Sequence, residues 1–304
     1  MKYYLAPLEG ITTHVYRKLH HEFFAPMDKY FTPFLVPHTK RGLTNREKAE
    51  IDPKNNKGMY LVPQILTKDP KGFLSTVEKL EEYGYKEVNL NLGCPSKTVT
   101  GKGRGSGFLK DLEGLARFLD EIYRNSRSEI SIKTRLGFER EEEFPALLNI
   151  YKQYPIKELI VHPRTTADYY VGEIHFSMYE EASIQMKSPV CYNGDIRTTS
   201  DAAYICEKYG NTDGIMIGRG IIADPMLLNR IKKKEVSSNA TINFLLALCD
   251  AYKELIGNEK QTLYKMKEIA SYLSWNHMEK KKEFKRMMKI NRLDDFKKGI
   301  KEVI

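Results

Sequence analysis

Lys2-Tyr3-Tyr4-Leu5-Ala6-Pro7-Leu8-Glu9-Gly10 reads as a short strand closed by a Pro-to-Gly turn. The turn after a first strand separates the two common ways of alternating strands with helices. A doubly wound open sheet that holds a dinucleotide would place G-x-G-x-x-G here, and Pro7–Gly10 does not carry it. Further apolar, β-rich runs lie at Lys29–Phe34, Tyr60–Ile65, Glu87–Leu92, Ile130–Thr134, Glu158–His162, Val190–Asn193 and Gly214–Ile217. Amphipathic segments such as Pro70–Tyr83, Leu112–Tyr123 and Ala202–Lys208 lie between them. Eight strands alternating with helices over this length predict an α/β fold of the (β/α)8 TIM-barrel type.

From about Val236 the strand signal stops. Helical periodicity returns at Phe244–Leu255, Tyr264–Trp275 and Phe284–Ile290, after a Ser237-Ser238-Asn239 linker. The expected organisation is a barrel over residues 1–235, followed by a small C-terminal α-helical bundle over 236–304. Charge divides the same way. Residues 230–304 hold 18 Lys+Arg against 10 Asp+Glu, while the preceding residues are nearly balanced at 31 against 30. A solvated lysine-rich surface explains this asymmetry, and so does a surface that binds a polyanion such as nucleic acid. Lys280-Lys281-Lys282 is read as a solvated helix face.

Of the 304 residues 41% are hydrophobic, too many for a disordered chain, yet no apolar run is long enough to span a membrane. Cys94, Cys191, Cys206 and Cys249 lie far apart without CxxC spacing, which argues against a disulfide framework and a metal site and for a reducing cytoplasm.

In a barrel, chemistry gathers where the loops leave the carboxyl ends of the strands. The residues predicted there are polar to an unusual degree. They are Pro7-Leu8-Glu9-Gly10 after the first strand, Gln64 at the third, and Asn91 and Cys94 at the fourth. Lys133 and Arg135 close the fifth, His162 and Arg164 the sixth, Asn193-Gly194-Asp195 the seventh, and Gly218-Arg219-Gly220 the eighth. Each alone has a structural explanation, such as an ion pair or a turn. Together, on seven strands at one end, they point to a shared ligand. Glycine-rich backbone after the last two strands suits a phosphate, with Arg219 beside it. Lys133 and His162 suit an electron-rich ring whose reduced form is anionic.

Cys94 sits in Asn91-Leu92-Gly93-Cys94-Pro95-Ser96-Lys97, ahead of a glycine-punctuated basic loop holding Lys102 and Arg104. A free cysteine is often a small buried hydrophobe, but a loop at a strand end is a poor place to pack one. A thiol of ordinary pKa is protonated at neutral pH and can give its proton to a developing carbanion.

These stretches resemble the tRNA-dihydrouridine synthase family. The resemblance is carried by Ala6-Pro7-Leu8-Glu9-Gly10, Val62-Pro63-Gln64-Ile65, Val88–Pro95 with the loop Lys102–Gly107, Ile132-Lys133-Thr134-Arg135-Leu136-Gly137, Val161-His162-Pro163-Arg164-Thr165, Asn193-Gly194-Asp195-Ile196 and Ile217-Gly218-Arg219-Gly220. It spans the barrel and extends to an appended helical region, and the opening turn looks most like the bacterial C-type subgroup. It implies FMN as cofactor and NADPH as reductant, with hydride delivered to C6 of a uracil in tRNA and a proton from Cys94 to C5. By the same resemblance Pro7, Leu8, Glu9, Gln64, Lys133, His162, Asn193, Gly194, Asp195, Gly218 and Arg219 line the FMN. Asn91 would orient the flavin or the uracil, and Arg164, Thr165 and Tyr170 match positions facing the substrate or the phosphate path; Lys102 and Arg104 of the basic loop are expected to bind the substrate as well. The sequence departs from the family pattern at Leu8, where Met is frequent, at Gly107, where Ala is usual, and at Pro163, where Gly is frequent. The expected protein is a cytoplasmic monomer without a metal, its 236–304 helices holding RNA.

Three functions remain open on the sequence: uridine reduction in tRNA or ribosomal RNA, an FMN barrel acting on a free pyrimidine or other small enone, and a non-catalytic RNA binder. The second gives the basic tail no purpose, and the third predicts a colourless protein.

Overall fold

The computed structural model describes residues 1–38, 42–210 and 212–304. Among these, parallel strands run in chain order as β1 (Lys2–Leu5), β2 (Lys29–Phe31), β3 (Leu61–Val62), β4 (Gln64–Ile65), β5 (Glu87–Leu92), β6 (Glu129–Arg135), β7 (Leu159–His162), β8 (Val190–Tyr192) and β9 (Gly214–Ile217). They hydrogen-bond in the order β3-β2-β1-β9-β8-β7-β6-β5-β4. β3 and β4 are the two halves of one predicted strand, split at Pro63, which has no N–H for the ladder. β3 pairs with β2 and β4 with β5, so the two halves bring the ends of the sheet together and the barrel has its expected eight staves. The second stave is shorter than predicted. It stops before Pro33, and Leu35 re-enters only as a single bridge to Ile65.

Helices alternate with the strands and cover the sheet with Leu, Ile and Phe. The helix Leu112–Asn125, for example, buries Leu115, Phe118, Leu119 and Ile122 on one stripe. The helix predicted from Ala202 begins at Thr199, where Thr198 and Asp201 form a capping box.

Inside the barrel the side chains stack in layers. At the amino-terminal end Lys29 Nζ bonds both oxygens of Glu87 at 3.0 Å and Glu158 Oε2 at 3.1 Å. The Tyr4 hydroxyl donates to Glu158 Oε1 at 2.6 Å and the Tyr60 hydroxyl to Glu87 Oε2 at 2.9 Å. A buried ion pair repays its desolvation only when its remaining lone pairs are also satisfied, as they are here. Above this floor Tyr4, Ala6, Phe31, Val62, Ile160, Cys191 and Met216 form an apolar plug. The opposite end is left for the polar residues.

After β9 the chain is helical. The helix Ala240–Ile256 ends at Gly257 in the left-handed region (φ 65°), and Asn258 caps the antiparallel helix Glu259–Leu273. Phe244 is fully buried among Tyr16, His20 and Phe24, with ring centroids 5.2–6.2 Å away. The tail thus shares its core with the barrel helix His14–Phe23. A final helix, Leu293–Val303, was not anticipated. Its buried Leu293, Phe296, Ile300 and Val303 follow helical spacing, but Asp294, Asp295, Lys297, Lys298 and Lys301 hide it in a charged run. No helix among the described residues is long and apolar enough to cross a membrane.

Candidate active site at the barrel mouth

A cavity of about 770 Å³ opens at the carboxyl ends of the strands. Its wall brings together Pro7, Leu8, Glu9, Gln64, Asn91, Cys94, Lys133, His162, Tyr170, Asn193, Gly194, Asp195, Gly218 and Arg219, all named from the sequence. Four others stay off the wall. Lys102 is exposed on its loop and Arg104 is half-buried. Arg164 and Thr165 are buried behind the wall.

The floor is an amide relay. Asn91 Nδ2 donates to Gln64 Oε1 at 2.7 Å, Gln64 Nε2 to Asn89 Oδ1 at 2.8 Å, and Asn89 Nδ2 to Ser131 Oγ at 3.0 Å. Chained amides fix one another's orientation. The free carbonyl of Asn91 then receives the backbone N–H groups of Gly93 at 3.1 Å and Cys94 at 3.0 Å. The Cys94 carbonyl is held in turn by the Ser106 backbone N–H at 3.1 Å and its hydroxyl at 2.9 Å. Gly105 lies so close beneath that a Cβ there would stand 2.8 Å from the Cys94 oxygen, and Gly107 so close that one would stand 2.6 Å from the Thr100 oxygen. Burial pushes the Cys94 thiol up, an effect that the Ser96 backbone N–H and the charges of Arg135 and Lys133 only partly offset. The thiol is therefore protonated at neutral pH.

Lys133 presents an ammonium to the cavity. Among the described residues no side chain or carbonyl hydrogen-bonds to it. Burial, and then the neighbouring Arg135 charge, bring its pKa down to about 7. His162 is held well below its ordinary range by burial and by Arg135, Lys133, Arg164 and Arg219, so the ring is neutral. Arg164 Nη1 reaches His162 Nε2 at 3.4 Å and can only donate, which leaves the ring proton on Nδ1.

Asp195 is the carboxylate that two of these cations bond directly. Asp195 accepts from Arg164 Nη2 at 2.7 Å and Arg219 Nη2 at 2.5 Å, with Arg197 at 3.9 Å. Burial opposes its charge, but the three guanidinium groups hold its carboxyl below the usual range. Its φ of 33° is in the left-handed region, which Asp and Asn adopt more readily than other non-glycine residues. Arg135 ties the Cys94 loop to the loop after β7, donating to the Gly93 carbonyl at 2.9 Å and the Thr165 carbonyl at 2.6 Å, while among the described residues its buried Nη2 has no hydrogen-bond partner. Gly220 is required by close approach, since a Cβ there would fall 2.0 Å from the Ile196 carbonyl oxygen.

A cluster of cations that exceeds its counter-charges, with an orphaned guanidinium nitrogen and an unpartnered ammonium, suits an anionic ligand carrying an electron-rich ring. Among the described residues no three His, Cys, Asp or Glu side chains converge as a metal site needs. The profile of the family described as Dihydrouridine synthase (Dus) matches residues 4–302. The chain belongs to the dihydrouridine synthase family.

As a dihydrouridine synthase it is an oxidoreductase. It is 27% identical over 279 residues to the tRNA-dihydrouridine synthase B of Pasteurella multocida (strain Pm70), covering 89% of this chain and 83% of that one. It is 29% identical over 261 residues to the probable tRNA-dihydrouridine synthase 2 of Bacillus subtilis (strain 168), covering 82% and 78%. The first of these carries the B-type name rather than the C-type read from the opening turn. Morphinone reductase superposes with a TM-score of 0.55 at 13% identity, covering 80% of this chain and 88% of that one, a likeness of fold.

The synthase's cavity also has walls that strand-end reasoning missed: Phe34, Arg197, Tyr272 and Trp275. Arg197 was within reach, two residues beyond Asp195 in the same loop. Tyr272 and Trp275 come from the distant helical tail, where the only signal was a lone tryptophan at the end of an amphipathic segment.

Proposed function

We propose that this chain reduces uridine in tRNA to 5,6-dihydrouridine, with FMN seated in the barrel mouth and NADPH as the electron source. The reading is carried by the placement of the Cys94 loop on the same cavity wall as Lys133, His162 and Arg219. When bound, a reduced flavin supplies the hydride that reaches C6 of uracil. Lys133 and Arg135 set positive charge against the ring, His162 offers a neutral imidazole, and Gly194, Gly218 and Arg219 receive the phosphate. Asn91 fixes the start of the loop from which Cys94 holds a proton for C5. Arg164 acts through Asp195, which it anchors from behind the wall. Lys102 and Arg104, outside the cavity, meet the RNA backbone with the basic domain 236–304. The target base leaves its stack to enter, since the relay residues lie at the bottom of the cavity. The chain works as a cytoplasmic monomer.

Mass spectrometry of RNA from a strain lacking the gene tests this reading. Dihydrouridine should disappear from one or a few tRNA positions and return on complementation. Unchanged levels at every position would defeat it. Purified protein should be yellow, and turnover on transcript tRNA should far exceed that on free uridine.

A further inference from the structure

Five side chains from four barrel segments and the helical tail alternate charge and aromatic ring across the mouth. The Arg135 guanidinium lies 5.1 Å from the Tyr170 ring centroid, and Arg219 lies 4.9 Å from the same ring. Arg219 also stands 5.9 Å from the Trp275 ring, and Arg197 stands 5.1 Å from it. Tyr272 meets Trp275 at 5.1 Å, tilted by 52°. Trp275 is the chain's single tryptophan and is 37% exposed. It sits in the short turn Ser274–Asn276 that ends the helix Glu259–Leu273. Trp275 thus leaves more than a third of its surface open at the rim, whereas Phe244 in the same tail is fully buried.

We infer that Trp275, steadied by Arg197 and Tyr272, is a stacking seat for the nucleobase adjacent to the target uridine in an unpaired stretch of RNA. The inference rests on the uridine-reducing reading above and names a contact that the reaction itself does not require. Depth separates the two bases. Gln64, Asn91 and His162 are each under 10% exposed at the bottom of the cavity, so the reacting base must descend past the rim where Trp275 stands. The next nucleotide then remains at rim height, facing a ring. Its phosphate passes Arg197, which stands beside the Trp275 ring, and the segment that carries Trp275 holds the chain's excess of basic residues. An aromatic face accepts any base, so this seat contributes affinity and registers the strand without choosing a sequence.

The lone tryptophan allows a direct test on the wild-type holoenzyme, with emission excited where the tyrosines do not absorb. A pentaribonucleotide with a central uridine should quench the emission by more than half, whereas uridine monophosphate and oxidised dinucleotide should leave it nearly unchanged. W275A should raise KM for RNA about ten-fold while changing kcat by less than two-fold, and W275F should keep KM within about two-fold. Equal quenching by uridine monophosphate or by the dinucleotide would assign the ring to the target base or to the reductant and overturn the inference. So would unquenched emission while the pentamer is being reduced. If the wild-type enzyme reduces no RNA at all, the underlying reading fails instead.

Discussion

The side-chain carbonyl of Asn91 accepts the backbone N–H of Cys94 at 3.0 Å while its amide nitrogen donates to Gln64 at 2.7 Å. One residue at the end of β5 therefore joins the rigid barrel floor to the loop that carries the thiol. N91A removes these two bonds and the one from the Gly93 N–H. Its uridine reduction should fall about 10–100-fold, by analogy with the loss of a residue that supports a reacting group. Flavin content, read by absorbance, should drop by less than two-fold.

The thiol itself has a sharper signature. C94A should keep the flavin spectrum and its reduction by the nicotinamide, yet lose about 10²–10⁴-fold in dihydrouridine formation. Because burial raises the Cys94 pKa, the acid form persists as the pH rises past the ordinary thiol value. The uridine step should stay flat through that value and fall only above it. With flavin kept saturating, so that the Lys133 titration does not change loading, a decline beginning below it would show that another group supplies the proton.

Lys133 ties cofactor loading to pH. Its pKa of about 7 in the ligand-free protein lies below the unfolded lysine value, so the unfolded chain binds the extra proton between the two. The group's destabilising effect is complete below about pH 7 and fades as pH rises toward the ordinary lysine range. K133M should thus raise the melting temperature of flavin-free protein by about 2–4 °C near neutrality, with the gap closing in alkali. The reduced ring is anionic and favours the ammonium, so affinity of the wild type for reduced flavin should weaken as pH rises above about 7, and that slope should vanish in K133M.

Asp195 is the only carboxylate bonded to both Arg164 and Arg219 among the described residues. D195A leaves the buried Arg164 guanidinium without its counter-charge and should cost about 3–5 kcal/mol in urea unfolding. D195N keeps a residue that tolerates the left-handed backbone and should cost less.

Gly107 offers a test of the Cys94 loop. A methyl group there would stand 2.6 Å from the Thr100 carbonyl oxygen, a contact with backbone that cannot swing away. G107A should destabilise the protein by about 1–3 kcal/mol and lower kcat.

The barrel was legible because each buried strand is an apolar run bounded by turn residues, and the polar strand ends lined the mouth as expected from their positions. Pro63 in the middle of a predicted strand was visible, but its effect was not, because the split depends on which neighbours need its missing N–H. Arg164 illustrates a second limit. Its place in the chain put it at a strand end, yet nothing local told that its guanidinium turns behind the wall toward Asp195. Trp275 illustrates a third, since its neighbours Arg197 and Arg219 are brought to it only by the docking of the tail through Phe244.

The knot of Lys29, Glu87 and Glu158 closes the barrel from below, and among the described residues the plug around Phe31 and Met216 fills the space above it. Electrons can then arrive and depart only by one doorway. Donor and acceptor become rivals for it, and a flood of either should throttle the other.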